Sequence, residues 1–158
     1  MKKALPKILC LTLALCLLTA VLTGCGSTSE AAVTDVISAA EQVYVNGTLT
    51  NTVEARLGAF QGKQGAYIEF RFPTPQAFNT IFINEKTATV RQYNVYAEID
   101  GKYTLVHTGK NIFQENIVIE PVTATAFKLE IVNTAIGDDN FVIQGISAYY
   151  ISQNTPEE

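Results

Sequence analysis

Side chains with chemical capacity are few in this 158-residue chain. His107 is its single histidine, and no serine stands in a G-x-S-x-G pattern. One imidazole with no marked serine or thiol partner leaves nucleophilic catalysis without a motif. No spacing sets two carboxylates across a cleft for glycosidic chemistry. The expectation is a protein that is not an enzyme. What remains are groups that bind. Arg56, Phe60, Glu85, Lys86, Arg91, His107, Asn111 and the run Asp138-Asp139-Asn140 bring guanidinium, ammonium, amide, carboxylate and ring surfaces. Such groups hold a polar, hydroxyl-rich ligand. Asp138 and Asp139 are also the calcium candidates, but calcium takes roughly six to eight oxygens and this stretch offers few. No cofactor is expected.

The second chemically marked residue is Cys25. Lys2, Lys3 and Lys7 precede an apolar run, Ile8 to Val21, which ends at Leu22-Thr23-Gly24-Cys25 and the small polar residues that follow. A basic start, a short apolar stretch and a small-residue cut site describe a secretory signal. The run is shorter than the roughly 20 apolar residues of a spanning helix. Leu22 to Cys25 resembles the lipobox of bacterial lipoproteins, which implies cleavage before Cys25 and acylation of its thiol. The other cysteines, Cys10 and Cys16, fall within the segment removed. Disulfides and cysteine zinc sites are then excluded from the mature chain. Its expected place is the extracytoplasmic face of a bacterial membrane, held by lipid.

Charge narrows the partners. The full chain carries 11 bases and 15 acids, a net of −4. Loss of Lys2, Lys3 and Lys7 leaves eight bases against the same fifteen acids, a net of −7. That excludes nucleic acid and a basic grip on anionic lipid headgroups. The membrane is met through the lipid, and the remaining partner is a glycan or a protein.

The elements that must position these groups read mainly as strands. After a signal over 1–24, residues 25–42 form a tether with room for a short helix, since Val33, Val36, Ile37 and Ala40 fall near helical spacing. Asn46-Gly47 between two alternating runs marks a hairpin. Ile68, Phe70 and Phe72 alternate with Glu69 and Arg71, and Phe78 to Asn84 is dense enough to be buried on both faces. Asp100-Gly101 joins the alternating run from Tyr93 to a partner ending near His107. Further strands follow at Ile117, Phe127 and Phe141, and 152–158 reads as an acidic tail. The expectation is an all-β, antiparallel β-sandwich over 43–151.

Four pieces in order, "FNTIFINE", "YNVYAEIDGKYTLV", "PVTATAFKLEI" and "IQGISAYY", resemble a discoidin-type domain. This is the galactose-binding-like jelly roll of coagulation-factor C domains, family 32 carbohydrate-binding modules and the C-terminal part of α-L-fucosidases. The resemblance covers about residues 67 to 150, and implies that fold with a polar ligand at the end bearing the long loops. There are departures. The chain has no tryptophan, Thr125 stands for an arginine, and Gln144 stands where the family often has a calcium-linked glutamate.

Strand alternation places the loops without reference to any family, because successive antiparallel strands return alternate connections to one end. "PTPQA", Asp100-Gly101 and "PVT" share one end and are short. The connections near 58–66, 85–90, 108–111 and 133–140 share the other and are long and polar. Long loops on a rigid scaffold are where binding concentrates. The main expectation is therefore a lipid-held module that binds carbohydrate or another polar ligand. The alternative is a cell-envelope component that docks a protein partner through an apolar patch on a sheet face.

Overall fold

The computed structural model describes residues 33–112, 116–137 and 140–152. Cys25, the signal segment, Asp138, Asp139 and residues from 153 onward lie outside the described residues. Eight strands appear: β1 Gln42–Val45, β2 Thr48–Leu49, β3 Phe60–Gly62, β4 Tyr67–Glu85, β5 Val90–Ile99, β6 Lys102–Gly109, β7 Asn116–Thr134 and β8 Phe141–Tyr149. Every pairing is antiparallel.

The expected sandwich is present, built differently from the reading at two places. "PTPQA" and "PVT" are not loops between strands. Each lies inside a 19-residue strand, β4 and β7, and the two run side by side. Tyr67 to Arg71 pair with Glu130 to Ala126, pairing lapses, and Gln76 to Phe82 then pair with Ala124 to Asn116. Pro73 and Pro75 fall in the first lapse, and Pro121 in the second, between Val118 and Val122. Proline has no N–H to give a ladder, so it sits where the ladder is broken. The bends carry both strands from one layer to the other. One layer is β2-β1-β4-β7-β5-β6, using the first part of β4 and the last part of β7; the other uses their remaining parts with β8 and β3.

The inner faces meet in one core. Ile68, Phe70, Phe78, Ile81, Ile83, Val95, Phe127, Leu129, Ile131 and Phe141 are fully buried. Phe127 lies 6.1 Å from Phe70 and 5.8 Å from Phe78, centroid to centroid, tying the two layers. Full burial of one such ring contributes about 1.5–3 kcal/mol. The outer face of the larger layer is polar. Lys128 Nζ there stands 4.5 Å from the Tyr96 ring and 4.7 Å from that of Tyr103.

Helical structure is minor. The helix allowed within 31–42 reduces to a 3-10 turn, Val36–Ala39, which buries Val36 and Ile37. Asp35 caps its N-terminal end by accepting from Ile37 N and, across the fold, accepts from Ala148 N at 2.9 Å. A single helical turn, α1 Val53–Arg56, was not signalled by periodicity. Thr52 caps it by accepting from Ala55 N, and Gly58, at φ +80°, closes it against Ile146.

Candidate functional site

The long connections do gather at one end, and hydrogen bonds fix the grouping. Gly65 N donates to Ile131 O, Ala135 N to Thr89 O, Lys86 N to Val142 O and Asn111 N to Arg91 O. Both ends of β4 are therefore beside the 133–140 connection.

Glu85 organises the turn to β5. Its Oε1 accepts from Thr89 N at 2.6 Å and Val90 N at 3.0 Å, with the Thr87 hydroxyl at 3.2 Å. The Thr89 hydroxyl lies 3.0 Å from Asn140 O, and Val142 N donates to Thr87 Oγ1. Arg91 braces the same turn through Nη1, which donates to Ala88 O and Val90 O. Glu85 Oε1 thus serves backbone donors that the turn would otherwise leave unpaired, while Oε2 is buried without a hydrogen-bond partner.

A recess of about 370 Å³ opens between the end of β6 and the start of β7. Tyr93, His107, Gly109, Lys110, Asn111 and Asn116 contribute to its lining, with Ile117 and Val118. The half-buried His107 ring lines the recess and is backed by the buried Tyr93 ring, with centroids 5.8 Å apart and planes tilted by 38°. Gly109 pairs directly with Tyr93, and the phenol ring fills the space a Cβ on Gly109 would need. Burial pushes the His107 imidazole below its ordinary value and the Tyr93 phenol above its own. At neutral pH His107 is therefore uncharged, with one donor and one acceptor nitrogen.

This wall exists because of a bulge. Tyr96 pairs with Leu105 but Val95 pairs with His107, leaving Val106 extra. Strict alternation would place Tyr103, Leu105, His107 and Gly109 on one face. The extra residue turns His107 and Gly109 inward, opposite Val95 and Tyr93.

Other expected binding residues have different places. Asn140 lines a second recess of about 400 Å³ with Gln61, Lys63 and Phe141. Phe60 is 7% exposed and packs edge-to-face on Phe141 at 5.1 Å, so it is core rather than an exposed platform. Arg56 reaches the Ala40 and Glu41 carbonyls at 3.2 and 3.4 Å, joining α1 to the entry of β1. Lys86 is exposed on the braced turn. The structure brings His107 and Asn111 together, and adds Tyr93 from within β5. Calcium does not fit the described residues. Gln144 is a neutral, exposed amide, and among the described residues no three carboxylate, imidazole or thiol groups come together.

No protein-family profile matches the chain, and no curated protein matches it in sequence. Solved structures do match. The family 32 carbohydrate-binding module of Streptococcus pneumoniae EndoD superposes with a TM-score of 0.59, covering 75% of this chain and 100% of the module at 13% identity. The fold is a discoidin-like module. The family 32 module of AlyQ, solved with 4,5-unsaturated mannuronic acid, gives 0.54 at 13% identity over 71% of this chain and 96% of that one. A candidate α-L-fucosidase from Bacteroides thetaiotaomicron gives 0.51 at 24% identity over 60% of this chain and 22% of that one. The chain spans between 18% and 28% of the three large chains it matches, and the whole length of compact modules.

Proposed function

We propose that this chain is a non-catalytic carbohydrate-binding module displayed from a membrane by lipid on Cys25. The observation that carries the reading is the recess walled by Tyr93 and His107 and edged by Lys110, Asn111 and Asn116. The half-buried His107 ring suits the apolar face of a sugar, while amide and ammonium groups suit its hydroxyls. The described lining holds no carboxylate pair to act as acid and base. The similar modules support the same reading through what they bind, an unsaturated mannuronic acid in one case and pectin in another.

The fold's polarity suits display. Asp35 is tied to Ala148, while the second recess starts at Phe141, seven strand residues and roughly 23 Å away. The protein-docking alternative finds less support, because Leu49 and Leu105 on the outer face are separated by charged and tyrosine side chains of β4, β5 and β7.

The test is affinity electrophoresis of the full chain in detergent micelles through gels carrying neutral, amino and acidic glycans. Retardation by at least one glycan, lost in Tyr93→Ala/His107→Ala, is the expected result. Unretarded migration in every gel would remove the reading.

A further inference from the structure

We propose that the Tyr93/His107 recess selects an acidic sugar, with Lys110 pairing the ligand carboxylate and Asn111 and Asn116 serving its hydroxyls. The inference rests on reading the recess as a sugar site and adds the ligand's charge class.

The argument is one of donors and acceptors. Lys110 brings three N–H donors and a full positive charge, and no acceptor. Asn111 and Asn116 each bring two donors and one carbonyl. A neutral sugar presents hydroxyl protons that need acceptors. A uronic acid presents a carboxylate that needs donors, and charge-assisted hydrogen bonds to it are about twice as strong as neutral ones. Glu85, on the turn into β5, is not among the described lining residues, and its Oε1 already accepts two backbone N–H groups. The net negative charge of the chain opposes general capture of polyanions, so attraction must be local and short-ranged, over about 8–10 Å in ordinary salt.

Isothermal titration of the full chain in detergent micelles tests this with a uronic-acid polymer, its carboxyl-reduced neutral counterpart and a sulfated dextran. We expect affinity for the uronic-acid polymer to fall at least tenfold on carboxyl reduction. Lys110→Gln should weaken binding roughly five- to thirtyfold, Lys110→Arg should retain most of it, and neither should move the melting temperature. Equal binding of acidic and reduced polymers overturns the charge assignment while leaving the glycan reading intact. Equal binding of sulfated dextran, or indifference to Lys110→Gln, also overturns it. Failure of these probes and of every neutral glycan overturns the glycan reading itself.

Discussion

Replacing Gly109 by alanine tests the recess wall directly. Gly109 lies opposite Tyr93, and an added Cβ would meet the Cζ, Oη and Cε1 atoms of that ring. Gly109 is not among the glycines with positive φ, so alanine has no backbone penalty there and would gain about 0.4–1 kcal/mol through the unfolded chain. The steric cost dominates. Tyr93 is 5% exposed and backed by His107, so its ring can yield only toward the recess. Overpacking of this kind costs about 1–3 kcal/mol, which leaves a net loss of about 1–2 kcal/mol. For a domain of this size that lowers the melting temperature by roughly 4–8 °C. Urea unfolding followed by circular dichroism should show a lower midpoint at unchanged slope. In a Tyr93→Ala background the same substitution should instead stabilise by about 0.4–1 kcal/mol, giving a coupling of about 1–3 kcal/mol. The reasoning fails if Gly109→Ala is silent, or if it costs the same with the tyrosine gone.

Glu85→Ala should destabilise by about 2–4 kcal/mol in the same assay, since it strips acceptors from two backbone N–H groups in a stitched turn; a loss under about 0.5 kcal/mol would contradict that role. His107 has its pKa lowered in the fold by burial, so the unfolded chain binds the proton more readily. Its contribution to stability is complete above the unfolded value near 6.5 and is lost as pH falls toward the folded value. Melting temperatures from pH 7 to 5 should therefore fall less steeply in His107→Asn than in the parent, and parallel curves would refute this. Under the proposed anchoring, Cys25→Ser should move the chain from the detergent phase to the aqueous phase. An unaltered partition, with no palmitate label on the parent, would count against lipidation.

Much of the scaffold could be read from short-range signals. Asn46-Gly47 and Asp100-Gly101 adopt positive φ at both residues, as tight hairpins require. Ile68, Phe70 and Phe72 are buried on alternate positions, and so are Tyr93, Val95 and Ala97. These depend on neighbours one or two residues away, which the sequence displays. The bends at Pro73 and Pro121 depend on β4 and β7 breaking their shared ladder at two places, between segments far apart in the sequence. Arg56 and Glu85 were read as ligand groups because their charge is visible. Their true partners, the carbonyls of Ala40 and Glu41 and the N–H groups of Thr89 and Val90, belong to backbone whose need for partners appears only after folding.

The placement of the recess follows from those same bends. Because β4 and β7 cross between layers as continuous strands, neither needs a loop at the end of Pro73 and Pro121, where the Asp100-Gly101 turn joins β5 to β6. The spare chain is left for the opposite end, where four connections meet and their unpaired backbone must be satisfied. Glu85 satisfies one connection, and Asn111, at φ +58°, ends another by donating to Arg91 O. With loop backbone pinned in this way, the side chains of Lys110, Asn111 and Asn116 need not serve the fold. The single bulge at Val106 then decides what they surround. In regular register His107 would stand on the outer face with Tyr103 and Leu105, Thr108 would oppose Tyr93, and the opening would have no second ring. One inserted residue converts a polar rim into a walled recess, which makes Val106 a position where length matters more than side chain.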